Sequence, residues 1–361
     1  MKLGLGLKQY WWTDAPNSAY AEGGLLENPG QKMWTDEHLR LARQFGCESI
    51  IAWVPLPAGN GVWSKEDLYS LKKQVNKYGM ELAGIENFHP AHWDHIVLGE
   101  EGRDEQMENI CQTIKNAGEV GIECFGYSFS ACGVQGYYTE RGNSDGRGMS
   151  SIKRFSTEYI DDSPSPNQRF WFRTQIARRS PEGVIPSADE ETVWDRFRYF
   201  LENALPVAEK ANVKLCAHPD DPPIPYLKGI YRPLHSVEGL RKLIKMFDSP
   251  SNCIEFCQGT ISTMQGVDIY SVIEEFASQD KIGYVHFRNT KGQFPEFSEV
   301  FIDDGDVDMA KAIECYAKYG FKGTLIPDHT PLIASPDPWW TGMGFALGYM
   351  RGIMQAKVGV R

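Results

Sequence analysis

The sequence predicts an α/β protein in which eight strands alternate with eight helices and close into a single (β/α)8 TIM barrel, with a long insertion after the fourth strand. Three observations carry this expectation. Short apolar runs alternate with amphipathic stretches along the 361 residues. Eight of each favours a closed barrel over an open, doubly wound sheet. No G-x-G-x-x-G run follows a strand, and Gly4 and Gly6 lie inside the first apolar run.

In order, strands are expected at about 3–8, 49–54, 80–86, 122–128, 213–218, 252–257, 281–287 and 322–326. Helices are expected at about 35–46, 64–78, 104–119, 190–211, 236–247, 268–278, 306–319 and 339–356. Ser64 opens an S-K-E-D start signal with acids in the first turn. Gly79, Gly121 and Gly320 stand where helices end, at the position that favours a left-handed residue. The stretch 129–189, with RGNSDGRG and DDSPSPNQR, breaks the rhythm. A connection this long is usually functional or disordered. In a barrel it emerges on the face that carries active sites, so a lid or specificity segment is expected. Residues 219–235 form a second excursion on that face.

Acidic residues outnumber basic ones, 48 to 37, for a net charge of −11. Such a chain repels phosphate backbones, so a nucleic-acid partner is not expected. No run of about 18 apolar residues appears, so no membrane-spanning helix is expected. The start, MKLGLGLKQYWWTD, lacks the long apolar core of a signal peptide. A cytoplasmic homo-oligomer acting on a small molecule is expected. Eight cysteines are scattered without a CxxC pair, which argues against a disulfide scaffold. Seven read as structural.

The eighth belongs to a set. His218, Cys257, His286 and Asp328 end four successive strands, about one strand–helix unit apart. Strand ends converge at the mouth of a barrel. Two imidazoles, a thiolate and a carboxylate suit a divalent transition metal: Mn, Fe, Co or Zn. Asp220 and Asp221 sit beside prolines that stiffen their loop. Either a rigid turn or a carboxylate near His218 fits, and Asp220 is taken as a substrate contact. His329 follows Asp328 and can serve as general acid or base. Arg288 and Asn289 follow His286, and Arg288 could hold a substrate carboxylate in bidentate form. Glu86 ends the third strand and also reads as a substrate contact. His89, His92 and His95 share one loop, where packing or substrate contact, by His92, is favoured over a second metal. Tyr127 ends the fourth strand and is expected to face the cleft as a catalytic residue beside His329 and Asp328.

These residues carry a family likeness. The chain resembles the mannonate dehydratases, metal-dependent (β/α)8 barrels, over most of its length. The motifs are HIVLGEEGRDEQMENICQTIKNAGEVGI (95–122), FLENALPVAEKANVKLCAHPDDPP (200–223), FCQGT (256–260), VHFRNTKG (285–292), GDVDM (305–309) and PDH (327–329). The resemblance implies a Mn2+-type centre at His218, Cys257, His286 and Asp328. It also implies dehydration of D-mannonate to 2-keto-3-deoxy-D-gluconate, with His329 of PDH as acid–base group. The chain departs from the family pattern in three places. FSACGVQGYYTERGNSDG replaces an FDWTRTDL-like run, Ile326 stands where the family has Arg, and WWTGMGFALG (339–348) replaces a tyrosine-bearing run. Either the insertion supplies substitutes, such as Tyr137, Tyr138 or Arg141, or the barrel acts on another polyhydroxy substrate. A metal-dependent sugar isomerase, epimerase or glycoside-eliminating lyase is the alternative. A sugar-acid binding protein without catalysis is a further one.

Overall fold

The computed structural model describes residues 1–7, 35–56, 59–131, 134–139, 146–160 and 186–359. Strands β1 (Lys2–Leu7), β2 (Ser49–Ala52), β3 (Glu81–Ile85) and β4 (Cys124–Tyr127) open the barrel. They are followed by β5 (Tyr137–Thr139), β6 (Lys153–Ser156), β7 (Lys214–Ala217), β8 (Tyr226–Leu227), β9 (Ile230–Tyr231) and β10 (Asn252–Cys257). The last are β11 (Ile282–His286), β12 (Thr290–Gln293), β13 (Glu296–Glu299) and β14 (Thr324–Ile326). The closed barrel runs β1-β14-β11-β10-β7-β4-β3-β2, all parallel. The expected strands and the observed ones agree within about two residues at each end.

The helices are α1 (Asp36–Gln44), α2 (Lys65–Asn76), α3 (Asp94–Leu98), α4 (Arg103–Val120) and α5 (Glu190–Ala211). Then come α6 (Val237–Met246), α7 (Gln258–Ser262), α8 (Ile269–Ser278), α9 (Met309–Lys318) and α10 (Pro338–Val358). Their starts have local causes. Ser64, Asp189, Ser236, Asp268, Asp308 and Asp337 each accept a first-turn backbone N–H. Short α3 and α7 carry too few turns for a periodic signal, and neither is visible in the sequence. No helix among the described residues is long and apolar enough to cross a membrane.

Strand alternation sorts side chains into two layers. Ile50, Phe125, Leu215, Ile254, Val285 and Leu325 face outward, into the main core under the helices. Ile51, Cys124, Cys216, Cys253, Tyr284 and Ile326 pack inside the barrel. Burying each large apolar side chain contributes roughly 1.5–3 kcal/mol, so this double layer makes the strand ends rigid.

The region after β4 was expected as a loop. It contributes β5 and β6, and these pair with a hairpin after β11 in the order β12-β13-β6-β5. On one face of this antiparallel sheet Phe155 stacks on Phe297 at 4.8 Å and tilts against Tyr137 at 5.3 Å. That face packs on Ile224, Leu227 and Ile230 of the second excursion. Residues 140–145 and 161–185, with Arg141 and all of DDSPSPNQR, and Cys132 lie outside the described residues.

Candidate metal centre and active site

His218 directly follows β7, and its backbone N–H donates to Tyr127 O, extending the β4–β7 ladder. Its ring Nδ1 lies 2.6 Å from Pro219 O. A carbonyl only accepts, so Nδ1 carries a hydrogen, and Nε2 is the nitrogen left to ligate a metal once it is deprotonated. Cys257 and His286 end adjacent strands in register. The ligating atoms of His218, Cys257 and His286 lie within 4.8 Å of one another. Asp328, two residues past β14, brings Oδ2 to 3.5 Å from His286 Nδ1. Three of the four anticipated residues therefore meet as one triad, with the fourth at its edge.

A second carboxylate pair lies against the same imidazole. His286 Nε2 is 2.8 Å from Glu255 Oε1 and 3.6 Å from Glu86 Oε2. Glu255 is 1% exposed, and it shares the inward face of β10 with Cys257, two residues on. Gly126 makes room: a Cβ there would stand 2.1 Å from Tyr284 Oη and 2.7 Å from Glu255 Oε2. A carboxylate contact on the far nitrogen of a ligating histidine fixes ring orientation.

Electrostatics prepare the donors. Burial pushes the Cys257 thiol up, but Arg288, His218 and His286 outweigh burial and hold it well below the usual range, as thiolate. Burial would lower His218, yet Glu255 and Cys257 raise it to about 9. Asp328 is held well below an ordinary carboxylate: burial opposes this, and His329, His286 and Arg288 override it. Among the described residues, both ring nitrogens of His286 and both carboxylate oxygens of Glu255 are buried without an aligned hydrogen bond. Buried polar atoms normally have partners. A divalent cation satisfies such a converging set, and the thiolate, imidazole and carboxylate donors suit a transition metal.

Arg288 is a clamp, which corrects its expected role. Nη2 is 2.9 Å from Asp221, Nη1 is 3.3 Å from Glu299 and Nε is 3.0 Å from Asp328. Its planar fork is committed to three carboxylates, so it does not offer a bidentate face to substrate. Gly259 of FCQGT lets it lie flat, since a Cβ would stand 2.6 Å from Arg288 Cγ. Thr260 donates to Cys257 Sγ at 3.1 Å and accepts from Arg288 Nη2 at 3.1 Å.

Other expectations are corrected too. Asn289 closes a loop: Nδ2 donates to Ile302 O and Val307 O, and Oδ1 accepts from Thr290 N and Val307 N. Its hydrogen-bonding capacity goes to backbone, so none remains for substrate. Asp220 is likewise internal, accepting from Leu234 N at 2.7 Å and pairing with Arg232 at 3.6 Å. Its neighbour Asp221 is the carboxylate that reaches the cluster. Tyr127 points away from the cleft, because strand alternation sends Gly126 inward and Tyr127 outward. Its ring packs on Trp93, Phe197 and Phe200 in the outer core. His92 is buried against Trp63 at 5.4 Å and His89 at 5.3 Å, a packing position in the loop.

His329 stays at the mouth, 22% exposed. Its Nδ1 is 2.9 Å from Glu299 Oε2, and its Nε2 is 3.5 Å from Asp328 Oδ1. Glu299 is held below the usual carboxylate range: burial opposes this, and His329, Lys153 and Arg288 outweigh it. Glu299 arrives on β13, and the facing β6 and β5 bring Lys153 and Tyr137. Tyr137 Oη donates to Asp221. Sequence reasoning missed Glu255, Glu299 and Lys153. The signal for Glu255 was its two-residue offset from Cys257. The signal for Glu299 was the alternation in EFSE.

A family model for D-mannonate dehydratase (UxuA) matches residues 34–359. The chain belongs to this family. Mannonate dehydratase 2 of Halalkalibacterium halodurans is 29% identical over 326 residues, covering 86% of this chain and 92% of that protein. Mannonate dehydratase of Lactococcus lactis subsp. cremoris is 30% identical over 348 residues, covering 88% and 93%. The crystal structure of mannonate dehydratase from Streptococcus suis serotype 2 superposes with a TM-score of 0.78 at 23% identity, over 99% of this chain and 95% of that one. D-psicose 3-epimerase from Clostridium cellulolyticum H10 shares the barrel at a TM-score of 0.57 and 13% identity, over 98% and 99%. That likeness concerns the fold. The anticipated fold class and family therefore hold.

Proposed function

We propose that the protein is a metal-dependent hydro-lyase that dehydrates D-mannonate to 2-keto-3-deoxy-D-gluconate. The observation that carries the reading is the meeting of His218, Cys257 and His286, edged by Asp328, at one barrel mouth in a chain of this family. His218, Cys257, His286 and Asp328 would hold the cation, taken as Mn2+. When bound, it supplies Lewis acidity that favours the enediolate-like charge formed when the proton beside the carboxylate leaves.

The chain's own groups handle protons and position. A base takes the C2 proton, the C2–H electron pair forms the C2–C3 double bond, and the C3 hydroxyl leaves with a proton as water, so that one proton is taken up and one delivered. The enol product then tautomerises to the 2-keto acid. His329 is the acid–base group. Glu299 anchors its Nδ1, which leaves Nε2 to exchange a proton with the departing hydroxyl. Arg288 holds Asp221, Glu299 and Asp328 in fixed array without touching substrate. Glu86, its side chain 12% exposed, lines the mouth beside His286.

The test is direct. Protein loaded with Mn2+, Fe2+, Co2+ or Zn2+ is incubated with D-mannonate and assayed for a 2-keto-3-deoxy acid. Formation of that acid supports the reading. Intact bound metal without product contradicts it, and solvent deuterium entering sugar without loss of water points to an isomerase or epimerase.

A further inference from the structure

The mouth poses a problem for an anionic substrate. Glu86, Asp221, Glu255, Glu299 and Asp328 all converge there, and the Arg288 guanidinium is committed to three of them. A sugar-acid carboxylate brought into this field needs a cation that is both adjacent and uncommitted enough to turn toward it.

The antiparallel sheet provides one. Lys153 on β6 stands directly opposite Glu299 on β13. Directly opposed residues share a face, and this face also carries Tyr137, Phe155 and Phe297 toward the barrel. The alternate residues, Arg154 and Ser298, meet on the other face at 3.3 Å. Lys153 Nζ is 3.4 Å from Glu299 Oε1, while Glu299 Oε2 is 2.9 Å from His329 Nδ1. A single carboxylate therefore bridges Lys153 to the proposed proton-transfer residue. The ammonium lies 4.2 Å from the Tyr137 ring centroid, which supports its side chain. Its side chain is 31% exposed, against 2% for Arg288. Glu299 keeps Arg288 and His329 as partners if Lys153 turns away.

We propose that Lys153 receives the carboxylate of the substrate, a polyhydroxy acid anion, and so gives the site its preference for sugar acids over neutral sugars. This rests on the sugar-acid reading above. It assigns to β6 a role in substrate recognition.

The test compares wild type, K153M, K153R and K153E, each metal-loaded, with D-mannonate turnover and with calorimetric binding of D-mannonate and uncharged D-mannitol. K153M raises KM about tenfold, the size of one partly solvated charged hydrogen bond, and leaves kcat within about twofold. K153R restores most of the loss, and K153E weakens mannonate further. Mannitol affinity stays the same in all four. Matching bound metal and melting temperature show that the variants are folded. An unchanged KM in K153M, or equal losses for acid and alditol, overturns the role of Lys153 while wild-type turnover leaves the dehydratase reading standing. If wild type does not turn over D-mannonate, that reading fails separately. Lys153 is then judged on acid against alditol binding, and a wild type with no preference for the acid overturns the proposal.

Discussion

The rim of the barrel and the sheet above it divide the labour of this site in different ways. At the rim, His218, Cys257, His286 and Glu255 project from strand ends or directly after them, held by parallel registers, with His218 half-buried and the other three buried. In the sheet, Tyr137, Lys153 and Glu299 come from two loops far apart in the chain and meet only through antiparallel pairing. Groups on rigid strands suit metal geometry, where small displacements are costly. Groups on a sheet borrowed from loops suit substrate choice, since loops vary without disturbing the core. The rim should therefore fail in metal content, and the sheet in KM.

The largest effect is expected at the rim. His218→Ala and Cys257→Ala should abolish stoichiometric metal, read by elemental analysis, and activity with it. Full metal occupancy in either variant would contradict the ligand assignment. His329→Gln should lower kcat by roughly 10²–10⁴ with metal retained, the range of a lost acid–base group. In the outer core, Phe200→Ala should destabilise by about 3–5 kcal/mol in chemical denaturation, whereas Tyr127→Phe should leave kcat and KM unchanged. The buried Tyr127 hydroxyl has no hydrogen-bond partner among the described residues, so its loss removes no such contact. In the sheet, Tyr137→Phe removes one donor to Asp221, which Arg288 still holds, and should raise KM a few-fold with metal content intact.

pH separates the regions through metal-free protein. His218 is raised to about 9, so its contribution to stability is complete below its ordinary value near 6.5 and is lost as pH rises through 9. Asp328 and Glu299 are depressed, so their contribution is present above ordinary carboxylate values, near 4, and is lost as pH falls below them. The metal-free melting temperature should therefore fall at both extremes. His218→Gln should weaken the alkaline decline without abolishing it, because Asp328 and Glu255 hold His286 above its ordinary value as well. Bound metal needs neutral His218, so metal affinity should rise with pH over the same alkaline range.

The barrel was legible because each strand–helix unit carries its own period, and the strand-end donors were legible because the barrel aligns them. What failed was orientation within a strand end and pairing across the chain. Tyr127 reads as a cleft residue until Gly126 fixes the inward phase of β4. Asn289 and Asp220 have site-like neighbours, yet nearby backbone N–H and C=O groups take up their polar atoms. Arg288 reads as a substrate cation until Asp221, Glu299 and Asp328 surround it. Asp221, Glu299 and Lys153 converge through contacts between segments more than 60 residues apart, which no local pattern encodes.

The most direct measurement is a coupled one: metal content and 2-keto-3-deoxy acid formation from D-mannonate, on the same preparations of wild type and Cys257→Ala. The account predicts about one divalent ion per chain and product in wild type, both lost in Cys257→Ala, and product lost in wild type after chelation and restored by Mn2+. Product that persists in the metal-free protein, or a fully metallated wild type that forms none, would contradict it.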